Sequence, residues 1–264
     1  MNFRNNWKKY FILCLWFFLH QDVTAEDFTT AEPVVGPQTR IVGGINAGEG
    51  QFPHQISLRL GGNHICGGSI ISSRYVVTAA HCVILGTPPK RVPASSLTIR
   101  AGSRFINTGG QIMGVSEIKV HPSYKNFEND IALLKLSNPL SFNARIKPIA
   151  LANNNPPAGS SIVISGWGRS STQGPVPQNL QYVTLKAISR TDCKKRLFGL
   201  PKNVICLAHP FGKGACFGDS GGPAIYKNQL VGVCDFVVNG CGSSNPDGYA
   251  SVANHVNWLR ANAK

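Results

Sequence analysis

Ser220 stands in Gly218-Asp219-Ser220-Gly221-Gly222-Pro223, a run too rich in glycine for regular helix or central strand. Glycine serves where a backbone turns sharply or comes close to another group. A serine held there can carry its hydroxyl beside free backbone N–H groups. Acyl transfer asks for that combination, a nucleophile next to donors for the oxyanion. The same pattern also fits a nucleophile elbow, in which a strand turns straight into a helix. Against an elbow, Pro223 and the following Ala-Ile-Tyr-Lys-Asn-Gln-Leu-Val-Gly-Val read as a strand, a polar turn and a second strand.

A serine hydroxyl needs a base, and of the seven histidines His81 stands out. It lies in Thr78-Ala79-Ala80-His81-Cys82, where small neighbours leave an imidazole room and a disulfide at Cys82 would fix its backbone. Asp130 opens Asp-Ile-Ala-Leu-Leu-Lys-Leu. A carboxylate at the mouth of an apolar run is partly buried and must be paired or hydrogen-bonded. Each residue taken singly has a structural alternative: an idle turn serine, a packed histidine, a strand-start cap. Together, in the order His81, Asp130, Ser220, they supply base, orienting carboxylate and nucleophile.

The elements that must position them are short. From residue 41 onward apolar runs at 55–60, 68–72, 75–80, 97–101, 131–136, 161–165 and 230–233 are separated by turn residues. With 28 glycines and 17 prolines, this spacing predicts antiparallel barrels or a sandwich. Only 253–263 reads as a helix, with Val256 and Leu259 on one face. The stretch 152–159, rich in Asn, Pro and Gly, divides two portions of similar size.

The 264 residues, 42% hydrophobic and 14% charged, are ample for a packed core. Arg4, Lys8 and Lys9 precede an apolar run at 11–19, and Val23-Thr24-Ala25 fits a small-residue cleavage site. Residues 1–25 therefore read as a secretory signal peptide, too short in its apolar part to span a bilayer. The expectation is a secreted, extracellular protein with no membrane partner. Residues 26–40 read as an extended polar pro-segment ending at Arg40, ahead of Ile41-Val42-Gly43-Gly44. Cleavage after Arg40 would create an ammonium at Ile41, whose natural partner is a buried carboxylate.

Cys14 leaves with the signal peptide, so seven cysteines remain, and in an oxidising compartment they form disulfides with one thiol left over. Spacing alone does not assign the pairs. No C-x-x-C or H-x-x-x-H cluster is present, and no metal or other cofactor is expected. From residue 41 onward there are 22 Lys and Arg against 8 Asp and Glu. These charges are scattered, the densest cluster being Lys194-Lys195-Arg196, without the aromatic interleaving of an RNA-binding surface. A solvated basic face and no nucleic-acid partner is the reading.

IVGG at 41–44, CGGS at 66–69, TAAHC at 78–82, DIALLKL at 130–136, SGWG at 165–168 and GDSGGP at 218–223 occur in one order. On these motifs the chain resembles the chymotrypsin-like (trypsin-fold, S1) serine peptidases over 41–264, in particular single-domain secreted arthropod members. The resemblance implies an all-β fold of two six-stranded antiparallel β-barrels, about 41–151 and 152–264, with a C-terminal α-helix. It implies a serine endopeptidase in which Ser220 attacks, neutral His81 takes and returns the proton, and Asp130 orients His81. The N–H groups of Gly218 and Ser220 would form the oxyanion hole. Asp219 would pair with the freed Ile41 amine of a zymogen cut after Arg40 by a trypsin-like protease. Protein or peptide substrates, protein inhibitors, a monomeric state and a digestive role complete the implication. It also pairs Cys66 with Cys82, Cys193 with Cys206 and Cys216 with Cys241, leaving Cys234 as a buried thiol. Two family features are missing. Ile162 and Tyr226 stand where many members carry a bridging cysteine pair, and the acidic calcium loop is absent, because 100–115 contains no Asp or Glu.

The substrate pocket is expected from Gly214, Phe217, Asp235, Phe236, Val237 and Asp247. Gly214 occupies the place of the aspartate at the base of the trypsin pocket, and Asp247 appears on the opposite wall. This exchange resembles broad-specificity collagenolytic members of crustaceans and insects. Asp235-Phe236-Val237 replaces the usual Ser-Trp-Gly; Val237 resembles the elastase arrangement that narrows the pocket, and Asp235 replaces a serine that supports the triad aspartate. A restricted pocket of unconventional preference is the expectation, with basic, small apolar and mixed preferences open. Three alternatives stand beside this reading. One is a non-catalytic homologue acting as a binding or regulatory module, against which all three triad positions are intact. Another is an esterase using Ser220, Asp235 or Asp247, and His255, against which strands dominate. The third is an anion-binding protein of the same fold.

Overall fold

The computed structural model describes residues 41–264. The expected signal peptide with Cys14 and the expected pro-segment with Arg40 lie outside the described residues. In chain order the strands are β1 (Ile45–Asn46), β2 (Gln55–Leu60), β3 (Asn63–Ile70), β4 (Tyr75–Thr78), β5 (Ile84–Leu85), β6 (Lys90–Arg91), β7 (Leu97–Ala101) and β8 (Gln111–Val120). They continue with β9 (Ala132–Leu136), β10 (Ala150–Leu151), β11 (Ser161–Gly166), β12 (Gln181–Ile188), β13 (Val204–Ala208), β14 (Pro223–Tyr226), β15 (Gln229–Phe236) and β16 (Asp247–Ser251). Two α-helices join them, α1 (Arg190–Arg196) and α2 (Val252–Asn262).

Six strands close the first barrel in the order β2-β3-β4-β9-β8-β7, with β7 returning to β2. Its interior is filled by Ile56, Leu58, Ile70, Val76, Ile99, Leu134 and their neighbours, all buried. Each such side chain contributes roughly 1.5–3 kcal/mol of burial. The second barrel runs β12-β11-β14-β15-β16-β13, and β13 pairs back onto β12 to close it. Its β12 alternates buried and exposed residues in the period-two pattern of a strand with one face in the core. The β14–β15 hairpin turns through Lys227 and Asn228, both with positive φ (47° and 58°), the mirror-image turn whose twist suits paired strands.

The two barrels are interlocked. Near its start the described chain adds β1 to β12 of the second barrel. β10 pairs in parallel with β15, so the crossing is made ahead of the Asn-Pro-Gly stretch 152–159. At the other end α2 reaches back to the first barrel, where the Tyr75 hydroxyl donates to the Lys264 carbonyl at 2.5 Å. Between the barrels the Ser165 hydroxyl donates to Gln55 Oε1 at 2.7 Å. A site built in the seam is thus held from both sides.

One expectation of the sequence is corrected: α2 is not the sole helix. α1 forms because Ser189 caps it, accepting the Asp192 N–H at 3.0 Å, and because Cys193 is bonded to Cys206. Its seven residues are too few to show helical periodicity. The basic cluster Lys194-Lys195-Arg196 lies in its last turn, where cations complement the helix dipole. The other disulfides are Cys66–Cys82 and Cys216–Cys241, and Cys234 is a buried free thiol. Closing loops of this size restricts the unfolded chain by about 3 kcal/mol each. No helix among the described residues is long and apolar enough to cross a membrane.

Candidate active site

His81 sits in a single 3-10 turn, residues 80–82, directly after β4. Ala79 and Ala80 are fully buried there, and the Cys82 disulfide anchors the turn to β3. Asp130 precedes β9 at the end of a tight loop. Asn126, Phe127 and Asn129 all have positive φ, and asparagine tolerates that conformation better than most residues. The Asn129 side chain is clamped, donating to the Ser123 carbonyl at 3.0 Å and accepting from Asn203 at 2.8 Å. The loop delivers a fully buried carboxylate that receives two bonds from His81. Asp130 Oδ1 accepts the backbone N–H at 2.9 Å, and Oδ2 faces Nδ1 at 2.5 Å.

The ring contact has one consequence for tautomer. With Nδ1 carrying the proton toward Asp130, Nε2 is left as a bare acceptor, the form a general base needs. Burial alone would lower the pKa of His81, but the Asp130 charge and hydrogen bond outweigh it and raise it above the ordinary 6.5. Burial would in turn raise Asp130, but His81 overcomes this and holds the carboxyl below its usual range.

Ser220 is brought to the seam by glycine. Gly221 has φ +75°, and a Cβ on it would lie 2.2 Å from Thr78 Oγ1 and 3.0 Å from the Ala79 nitrogen. Only a residue without a side chain lets this loop lie on the end of β4, three residues before His81. The Ser220 carbonyl accepts from Gly67 at 2.7 Å, and Gly221 donates to the Cys234 carbonyl at 2.8 Å. The nucleophile loop is thereby pinned to β3 of one barrel and β15 of the other. Among the described residues neither the Gly218 nor the Ser220 N–H donates a backbone hydrogen bond. Two uncommitted donors flank the serine.

A sequence model of the family described as Trypsin matches residues 41–259. The chain belongs to the trypsin family. It is 49% identical over 221 residues to serine protease SP24D of Anopheles gambiae, covering 84% of this chain and 80% of that protein. Trypsin delta of Drosophila erecta is 45% identical over 232 residues, covering 85% and 88%. Hypodermin-A of Hypoderma lineatum is 40% identical over the same length and the same shares. Among solved structures, neuropsin, a serine protease expressed in the limbic system of mouse brain, superposes with a TM-score of 0.76 at 29% identity, covering 84% of this chain and 99% of that one. The protein is a chymotrypsin-like serine endopeptidase of the arthropod type, a hydrolase of two six-stranded barrels.

Within this trypsin-family frame the remaining predicted residues fall into place unevenly. Asp219 is buried, accepting from Gly168 N at 2.8 Å and Cys216 N at 2.9 Å. Burial pushes its carboxyl up to about 7 against the pull of those N–H groups. Ile41 is also fully buried, with φ +47°, and Val42 bridges to Gly214. Asp247 is buried, accepting from Ala215 N at 2.7 Å through Oδ2. Gly214 lies against it: a Cβ there would stand 2.7 Å from Asp247 Oδ2 and 2.8 Å from His209 Nε2. Phe217 and Val237 are half-buried, and Phe236 meets Phe127 edge-on with ring centroids 6.0 Å apart. Asp235, expected in the place of a serine that supports the triad aspartate, lies beside Asp130, and β15 bulges there between Cys234 and Phe236. His255, the base of the esterase alternative, is committed within α2: Nδ1 lies 2.6 Å from the Ser251 carbonyl and Nε2 3.1 Å from Asn129 Oδ1.

Two histidines that the sequence reading passed over belong to this region. His64 joins Ser57 Oγ at 2.8 Å to the Gly218 carbonyl at 3.1 Å, steadying the loop before Ser220. Its burial lowers it to a pKa of about 4, so it bonds as a neutral ring. His209 stands 3.3 Å from Asp247 Oδ1, within ion-pair range although not aligned as a hydrogen bond. Neither has a neighbour in the chain that betrays its partner. Asn63-His64 before the CGGS strand is the nearest thing to a signal.

Proposed function

We propose that the chain is made as a secreted zymogen, cut after Arg40 by a trypsin-like protease, and then hydrolyses protein through a Ser220 acyl-enzyme. The observation that carries this reading is His81 held by both oxygens of buried Asp130, through its backbone N–H and its ring Nδ1, beside a loop with two free N–H donors. Nε2 of His81 takes the Ser220 proton as Oγ attacks the scissile carbonyl. The N–H groups of Gly218 and Ser220 receive the oxyanion, and the imidazolium is stabilised by Asp130. His81 then protonates the leaving amine, and a water repeats the sequence in reverse. The freed Ile41 ammonium pairs with Asp219. The likeness to insect trypsins supports extracellular digestion as the role, with the enzyme acting as a monomer and subject to protein inhibitors. Activation at Arg40, followed by digestion of a mixed peptide library, tests the reading. Absence of cleavage with Ile41 confirmed as the new terminus would overturn it.

The acid limb of the pH profile follows from His81. Only the neutral ring accepts a proton, so activity is present above its pKa and lost as pH falls through it. Because that pKa is raised, kcat/KM is expected to reach half its plateau above pH 6.5, not at or below it. A half-maximal point well under 6 would contradict His81 as the base.

The pocket is proposed to carry a conditional charge. Gly214 opens the pocket base onto Asp247, whose carboxylate is shared with His209. Burial would lower His209, but Asp247 raises it despite the opposing charge of Arg196. Protonated His209 cancels the Asp247 charge at low pH; as pH rises through the His209 pKa, that charge becomes available to a Lys or Arg side chain. The ratio of kcat/KM for basic over apolar P1 residues is expected to rise with pH in the natural enzyme. In His209→Gln the ratio should follow the buried Asp247 carboxyl alone, which burial raises and His209 no longer holds down, so its rise with pH is expected to persist at an altered midpoint. A ratio that is independent of pH in both would refute the arrangement.

A further inference from the structure

Asp235 is the most anomalous side chain of the site. It is 4% exposed, and neither of its oxygens receives a hydrogen bond from an N–H or O–H donor among the described residues. The β15 bulge leaves Asp235 without a cross-strand partner, and bulges re-aim side chains. Here the carboxyl is aimed at the triad. One nitrogen of His81 and one oxygen each of Asp130 and Asp235 all lie within 4.8 Å of one another. The group within hydrogen-bonding reach of Asp235 is the Asp130 carboxyl, whose oxygens are already engaged by His81. Two ionised carboxylates have no proton to share and repel, so a hydrogen bond between them requires one of them to be an acid.

We propose that Asp235 and Asp130 hold one proton between them, carried on the Asp235 side, so that Asp235 is a positioning residue donating a neutral O–H hydrogen bond to the triad carboxylate. This rests on the reading of His81, Asp130 and Ser220 as the catalytic groups. The surroundings favour that state from every side. Across the gap stand Asp130 and, beyond it, His81. The Tyr124 hydroxyl is itself pushed up by burial and by both carboxylates. Cys234 on the same strand and Tyr249 on β16 are neutral and strongly disfavoured as anions. Among the described residues no Lys or Arg acts on Asp235, and burial followed by the Asp130 charge raises its carboxyl well above the usual carboxylate range. The pair then carries one negative charge in all, the same as a single aspartate, and His81 feels one anion and not two. A carboxyl group can in this way stand in for a hydroxyl donor without adding charge.

Charge bookkeeping at His81 separates the two states of Asp235. In the Ser220→Ala background, which cannot turn over, the His81 pKa is followed by NMR with and without Asp235→Asn. If Asp235 is protonated, removing its acid leaves the charge unchanged, and the two pKa values agree within about 0.3 unit. If Asp235 is ionised, its loss removes an anion about 5 Å from the ring and lowers the His81 pKa on the order of two units, which would overturn the proposal. Asp235→Ser repeats the comparison with a second neutral donor, should the amide variant fold poorly. In activated enzyme with Ser220 intact, Asp235→Ala is expected to lower kcat more than tenfold with KM little changed. Asp235→Asn should recover most of that loss, with the acid limb of the pH profile in place; equal loss in both variants would argue against a donor role. A His81 signal without the Asp130-bonded Nδ1 proton would count against the triad itself and not against the proton on Asp235.

Discussion

Ser220→Ala, prepared as zymogen and activated at Arg40, is expected to lower kcat by about a millionfold, while the thermal unfolding midpoint stays within about 2 °C. The two halves of this expectation have separate causes. Ser220 is half-exposed, and the loop around it is held by backbone bonds, Gly67 to the Ser220 carbonyl and Gly221 to the Cys234 carbonyl, that alanine retains. The hydroxyl itself contributes little to stability. It does contribute the covalent intermediate, and residual turnover would come only from the free N–H groups and substrate positioning. Hydrolysis of a peptide substrate and a melting curve on the same preparation measure both. Undiminished turnover would remove Ser220 from the mechanism; loss of folding would show that the loop depends on a bond the hydroxyl makes.

The second large effect concerns Arg40→Gln, which is expected to leave the protein uncut and at about one hundredth or less of the activated rate. Asp219 is buried with a carboxyl pushed up to about 7, so the two N–H groups that hold it leave its charge incomplete at neutral pH. An ammonium at Ile41 would supply the missing full charge. Removing one partner of a buried ion pair costs about 3–5 kcal/mol, which is a hundredfold or more in the population of the active arrangement. Asp219 lies between Gly218 and Ser220, so the loss falls on the oxyanion donors. Active-site titration before and after treatment with a trypsin-like protease, with terminal sequencing, measures it. Full activity in uncut Arg40→Gln protein would end the zymogen reading.

Legibility in the sequence tracked locality. His81, Asp130 and Ser220 each carry their reason in adjacent residues: small alanines and a cysteine, an apolar run, a glycine turn. The β2 and β7 strands were readable as bounded apolar runs, and α2 by its stripe of Val256 and Leu259. By contrast, α1 is too short for periodicity and depends on a cap and a disulfide. β8 mixes apolar and polar residues, and only Val115 and Ile118 in it are buried, so it presents no bounded apolar run. His209 and His64 have partners 38 and 154 positions away, Asp247 and the Gly218 carbonyl, so nothing near them in the chain points to a role. Asp235 was legible as a departure from serine, but its direction is set by a bulge, which the residue types around it do not announce.

The loop at 102–110 contains no Asp or Glu. In this protein it is gathered around the Arg100 guanidinium, which donates to the Gly109 carbonyl and, at 2.8 Å, to the Asn107 carbonyl. Arg100 is itself buried on β7. A positive centre that is part of the chain cannot be diluted, chelated or exchanged. The packing of this loop is therefore built around a cation that translation itself supplies.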